Sequence, residues 1–188
     1  ITNKQQIYND LRSSMVGGPS IVFHRYHEAG VSKIRGGKTC QKVVGYDANA
    51  LYLWCLGQEM PCNELEQYET NDTKKVIEQV KDGSLFGSVC VDMYTPENLK
   101  EYFGEMQPIF KNIEYEYTKE NIGEYMSNII NDCKTTSKGK KLIGSFHCEK
   151  QHIITPLLKW YLEHGLIITK VYNVIKATPN KLFKPFMN

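Results

Sequence analysis

The sequence predicts an α+β fold built on a largely antiparallel sheet, and three observations carry that prediction. Residues 155–177 read as one helix followed by one long strand, and residues 85–94 read as a second strand. The remaining helical and extended stretches interleave without the regular βα rhythm of a doubly wound fold. At 188 residues and 41% hydrophobic content, the chain is long enough for one domain with its own core or for a slice of a larger one.

Taken in order, residues 1–14 are predicted as a short polar helix with Ile7, Tyr8 and Leu11 on one face, broken by Gly17-Gly18-Pro19. Residues 20–26 (SIVFHRY) have the β-branched and aromatic content of a strand, and the Gly-rich SKIRGGK loop leads on to a central strand at 43–46. That strand runs into a single acid, Asp47, and then into helix-forming residues 48–56, which Gly57 and Pro61 end. Asp72 is positioned to cap a helix over 73–81, with Val76, Ile77 and Val80 as its apolar stripe and Gly83 as its stop. In the 85–94 strand, Gly87 marks a bulge or a point of close backbone approach. Thr95 caps and Pro96 opens a short helix that closes near Gly104.

Residues 108–117 alternate weakly and read as one or two strands; 121–133 fits helix or loop, a lysine-rich loop follows, and 142–147 reads as a strand. The clearest unit comes next. Thr155 caps, Pro156 opens, and Leu157, Leu158, Tyr161 and Leu162 line one face, until Gly165 ends the helix before a long strand that Thr178-Pro179 terminates. Residues 182–187 begin another apolar segment.

Composition narrows the function. A net charge of +2 is far from that of a dedicated nucleic-acid coat, so any DNA contact has to come from local patches. One patch is Lys134, Lys138, Lys140 and Lys141; with Arg25, Lys33, Arg35 and Lys38 it suits phosphate-backbone contact, and the plain alternative is a solvated loop tip. Six cysteines without a CxxC pair point to reduced thiols and an intracellular protein. No apolar stretch approaches the roughly 18 residues of a membrane helix, and residues 1–14 lack a signal-peptide core, so no membrane partner is expected. The start at Ile1 is that expected of a piece of something longer.

Asp47 is the sharpest chemical candidate. An acid between an apolar run and a helix start suits a metal ion carrying a phosphorylated ligand, and its plain alternative is a helix N-cap. Asp92 is a second acid in an apolar strand, ordinary if that sheet face is exposed. His24, Arg25, Tyr26, His27 and Glu28 form a polar cluster that reads as a solvated strand end, and His147, Cys148 and His152 lack a partner motif. No Ser-His-Asp order, nucleophile elbow or P-loop is present.

The stretch Asp47-Ala48-Asn49-Ala50-Leu51-Tyr52-Leu53-Trp54 resembles motif A of the family B DNA polymerases, Asp-x-x-Ser-Leu-Tyr-Pro-Ser, matching at Asp, Leu and Tyr. Upstream, MVGGPSIVF resembles the Gly-Gly segment that precedes motif A in the protein-primed branch. Downstream, GSLFGSVCVDM, the PIF at 108–110 and the 152–177 unit resemble the region between motif A and the fingers. The order and spacing agree across most of the chain, most closely with polymerases of self-synthesising (Polinton or Maverick-type) elements and related viruses.

The resemblance implies a polymerase palm over 1–56, an insertion-like α+β region over 57–178, and the start of a fingers-side segment over 179–188. It implies Asp47 as the carboxylate bridging two catalytic Mg²⁺ ions, the Ala48 carbonyl in the second ion's shell, and Tyr52 as a steric gate against ribose. It further implies backbone N–H groups of Ala50, Leu51 and Tyr52 on the triphosphate, Gly17 and Gly18 at the template strand, and Arg25, Lys138, Lys140 and Lys141 on DNA. The implied partners are DNA template and primer, a dNTP and a terminal protein primer; the implied location is the nucleus or a cytoplasmic viral factory. Ala50, Leu53 and Trp54 depart from the motif, and no Asp-Thr-Asp or Lys-x-x-x-Asn-Ser-x-Tyr-Gly is found, so this chain alone is expected to be inactive. The competing expectation is a non-catalytic DNA- or protein-binding remnant of such an element.

Overall fold

The computed structural model describes residues 2–20, 26–34, 37–104, 106–132 and 138–187. In chain order the elements are α1 (Thr2–Ser13), α2 (Leu51–Leu56), β1 (Met60–Glu69), α3 (Thr73–Asp82), β2 (Gly87–Tyr94), α4 (Glu97–Phe103), β3 (Ile109–Glu116), α5 (Lys119–Asp132), β4 (Lys138–Ser145), β5 (His147–Ile154), α6 (Thr155–Glu163) and β6 (Ile167–Asn180). A 3₁₀ turn at Lys184–Phe186 follows. The fold is α+β, with a four-stranded sheet in the order β1-β6-β2-β5 and a two-stranded sheet of β3 and β4, every pairing antiparallel.

Alternation in β2, and a spacing of three in β6 where β-bulges shift the register, build the core. Val89, Val91 and Met93 on β2 and Ile168, Val171 and Val174 on β6 are buried, and Val76 and Val80 of α3 with Leu158 and Tyr161 of α6 pack in the same cluster. Burying each such aliphatic side chain contributes on the order of 1.5–3 kcal/mol, which makes this face the main source of stability. The predicted stripes of α3 and α6 therefore meet across β2 and β6. Asp72 caps α3 as expected, its Oδ1 accepting from Lys75 N–H at 3.1 Å.

Gly87 is a point of close approach. Its φ of 146° and a hypothetical Cβ only 2.0 Å from the Ile175 carbonyl oxygen exclude any side chain there. Its N–H donates to Thr155 Oγ1 at 3.1 Å, tying the start of β2 to the start of α6.

That bond corrects one expectation: Thr155 is the first residue of α6, Ile154 holds the N-cap position, and the Thr155 hydroxyl serves Gly87 instead of the helix. Thr95 is not a cap either, because Pro96 occupies that position with no side-chain bond, and the buried Thr95 Oγ1 has no partner. Nor does Thr178-Pro179 end the last strand. β6 runs on to Asn180, since β1 continues to pair with it through Pro61↔Pro179 and Met60↔Asn180 at the sheet margin, where a missing N–H is tolerated.

Strands β1 and β5 form the two margins of the four-stranded sheet. The predicted strand at 20–26 falls mostly on residues outside the described set. The lysine-rich segment is a strand from Lys138 onward, paired along its length with β3.

Candidate functional site

Asp47 lies in exposed irregular backbone that extends from Gln41 through Ala48. The strand expected at 43–46 is therefore corrected: no neighbouring strand among the described residues takes up its N–H and C=O groups, and β-branched content alone does not hold a strand. The helix is shorter than expected as well. Ala50 adopts a left-handed conformation (φ 55°, ψ 33°), so α2 begins at Leu51.

Ala50 also decides against the N-cap account of Asp47, since it holds the cap position itself and no side chain caps α2. In the turn, Leu51 N–H donates to the Ala48 carbonyl at 3.3 Å and Trp54 N–H to the Ala50 carbonyl at 3.0 Å. Two of the groups singled out for ligand binding, the Ala48 carbonyl and the Leu51 N–H, thus satisfy each other. The Asp47 carboxylate makes no hydrogen bond or ion pair among the described residues. No residue of α2 is buried, and the Tyr52 ring is 89% exposed.

Gly17 and Gly18 lie in exposed irregular backbone after α1, with nothing within 4 Å of a Cβ built at either position. Arg25 and Lys134 lie outside the described residues. Two of the other lysines face acids across the β3–β4 ladder, Lys138 opposite Glu116 and Lys140 opposite Glu114, while Lys141 is opposite Ile113. Lys138 Nζ sits 2.7 Å from Glu116 Oε1, whose hydrogen bond and charge raise the lysine pKa, and Lys141 Nζ lies 5.4 Å over the Tyr117 ring. The expected basic loop is therefore a strand whose charge is largely balanced by its neighbour. Among the described residues no hydrogen bond or ion pair joins Asp47, the glycine pair and these lysines, and no three His, Cys, Asp or Glu side chains converge to hold a metal ion.

The structure gathers polar groups elsewhere. Glu69, Asn173, Cys90 and His152 are successive cross-strand partners, forming one row across β1, β6, β2 and β5. Together with Gln6, Asp10 and Ser13 of α1 and Ser14 just after it, they line a polar cleft of about 550 Å³. Asp10 fastens α1 over this row. Its Oδ1 accepts from Gln6 Nε2 at 2.8 Å, its Oδ2 accepts from Gln67 Nε2 at 3.1 Å, and His152 Nε2 lies 4.0 Å from Oδ2. On the ring's other side, His152 Nδ1 is 3.3 Å from Ser88 Oγ.

Burial holds the His152 pKa below its ordinary value, opposed by the nearby Asp10 carboxylate. The same trio in another setting would be a nucleophile, a base and an orienting acid. Here Ser88 is buried near the start of β2 and its hydroxyl also lies 3.4 Å from the Ile153 carbonyl, so the trio binds helix to sheet. Burial pushes the Cys90 and Cys148 thiols up to about 11, which keeps both protonated and unreactive at neutral pH. One signal could have located this face: in β2 the polar Ser88, Cys90 and Asp92 alternate with Val89, Val91 and Met93, a period-two pattern whose polar side is covered as well as its apolar one.

Asp92 is held at both oxygens. Tyr172 Oη donates to Oδ2 and Lys150 N–H to Oδ1, each at 2.7 Å, and the carboxylate's hydrogen bond pushes the Tyr172 hydroxyl up to about 12. A separate, apolar groove of about 770 Å³ opens beside β5, where Ile154, Leu157 and Trp160 remain exposed. The chain matches no protein-family model, no curated protein and no solved structure. Among the described residues no helix is long and apolar enough to cross a membrane.

Proposed function

We propose that this chain forms part of the nucleotidyl-transfer site of a protein-primed family B DNA polymerase, which adds deoxynucleotides to a primer 3′ end on a DNA template. One observation carries the reading. The stretch that resembles motif A stands at the surface with its carboxylate unengaged, amid exposed Val43, Val44, Tyr46, Leu51, Leu53 and Trp54. Exposed apolar surface of this density marks a surface that something covers. In this reading the cover is the nucleotide, the primer–template and the segments carrying the second carboxylate.

The roles follow residue by residue. Asp47 would supply a carboxylate and Ala48 a carbonyl to Mg²⁺, an ion that prefers oxygen donors, so these two groups fit part of its ligand set. When bound, the metal supplies charge neutralisation for the transferring phosphoryl group. The Ala48 carbonyl becomes fully available when its 3.3 Å bond from Leu51 N–H is given up, which frees that N–H for the triphosphate at the same time. Tyr52 presents its ring beside the sugar. Gly17 and Gly18 lie against the template strand, and the terminal protein primer contacts the 57–178 region.

The test is primer extension by a polypeptide that joins this chain to the second catalytic carboxylate. Asp47→Ala abolishes extension, and activity left within about tenfold of the unmodified enzyme would refute the metal assignment.

A further inference from the structure

The cleft beneath α1 carries a cationic rim. Lys150 lines the cleft and is exposed, and its Nζ lies 5.5 Å from the Tyr172 ring centroid; Lys170 Nζ approaches the same ring to 4.5 Å. Two ammonium groups gathered on one ring repel each other, and neither forms an ion pair among the described residues. Two acids act on this ring: Asp92 spends its two oxygens on the Tyr172 hydroxyl and the Lys150 N–H, and Glu149 forms no ion pair with either lysine among the described residues. Asp92 fixes the ring and the Lys150 backbone, which sits in a left-handed conformation at φ 46°, without pairing with either ammonium group. Lys138 and Lys140 of β4, by contrast, face Glu116 and Glu114.

Inside the cleft the balance reverses. Asp10 and Glu69 are carboxylates, and the Asn173 Oδ1 is buried with no hydrogen-bond partner. Cations at the rim and acceptors within suit a ligand with an anion at one end and amino donors at the other. The volume of about 550 Å³ lies in the range of small-ligand sites.

We propose that this cleft is a contact site for single-stranded DNA, with Lys150 and Lys170 on successive phosphates and an amino-bearing base, cytosine or adenine, directed toward Glu69 and Asn173. Cytosine N4 and adenine N6 are donors that carboxylates accept, whereas thymine offers no exocyclic amino group. The choice of DNA rests on the polymerase reading. The site itself is separate from Asp47.

The experiment is fluorescence anisotropy of the 188-residue chain with labelled dC₁₂ and dT₁₂ across a salt series. Each phosphate neutralised on a single strand contributes about −0.7 to the slope of log K against log salt. Lys150→Ala and Lys170→Ala are each expected to flatten that slope by about 0.7, while Lys81→Ala in the last turn of α3 leaves it unchanged. The chain is expected to bind dC₁₂ more tightly than dT₁₂, and Glu69→Ala to remove the preference. All variants are checked for an unchanged circular dichroism spectrum. Unchanged slopes in the two lysine variants, or equal affinity for the two oligonucleotides, would overturn the site. Oligonucleotide binding by this chain reads the cleft and primer extension by the joined polypeptide reads the polymerase assignment, so loss of this site and loss of that assignment are separable outcomes.

Discussion

Replacing Gly87 with alanine tests how tightly β2 is pressed against β6. Two costs add. A non-glycine residue at φ 146° carries backbone strain of about 1–3 kcal/mol. The new Cβ would also lie 2.0 Å from the Ile175 carbonyl oxygen, a rigid backbone atom, so the strands must separate at a cost of about 1–3 kcal/mol, the range for overpacked interiors. Movement there further weakens the 3.1 Å bond from Gly87 N–H to Thr155 Oγ1.

The expected loss of about 2–6 kcal/mol is a large part of a typical domain stability of 5–15 kcal/mol. Urea unfolding followed by circular dichroism measures it, with Gly83→Ala as the reference. Gly83 also has a positive φ, 80°, but a Cβ there meets nothing within 4 Å, so that variant reports strain without the clash. Equal losses in the two variants would refute the close approach.

His152 makes stability depend on pH. Its folded pKa lies below the ordinary 6.5, so the unfolded chain binds more protons between the two values; the stability contributed by the neutral ring is complete above about pH 6.5 and falls as pH drops toward the folded pKa. Denaturant titrations from pH 8 to pH 5 should show this decline, reduced in His152→Gln, and an identical pH dependence in that variant would contradict the assignment. Tyr52→Val, in the polypeptide used for primer extension, should raise ribonucleotide incorporation relative to deoxyribonucleotide; unchanged sugar discrimination removes the gate role.

The parts of the fold that were legible from residues alone are those where local and tertiary preferences agree. Asp72 with Val76 and Val80, the valines of β2, and the 155–177 unit each combine a start or stop signal with an apolar face that has a core to meet. The missed strands lack such a face. β1 (MPCNELEQYE) and β5 (HCEKQHII) are margin strands rich in polar residues, and the start of β4, upstream of the strand read at 142–147, holds three lysines within four residues. Their strand character comes from partners distant in sequence: β1 pairs with β6 and Glu114 and Glu116 oppose Lys140 and Lys138. Residues 43–46 fail for the converse reason, having the composition of a strand and no partner.

The candidate site divides along the same line. Asp47 and Tyr52 were visible because a short motif is a local pattern, and the structure leaves both exposed. The row Glu69–Asn173–Cys90–His152 was not visible, because its members are brought together only by four-strand register and span more than a hundred positions of chain. Covering such a row with a helix is costly unless its polar atoms find partners. Asp10 reduces that cost at one end by drawing Gln6, Gln67 and His152 toward α1, while Asn173 Oδ1 is left without a partner. A sheet needs one covered apolar face to fold, and β2 and β6 already have that face under α3 and α6. The polar face beneath α1 is thus not accounted for by the hydrophobic core, which is why Lys150 at its rim, and Lys170 on the same Tyr172 ring, are where a ligand is expected.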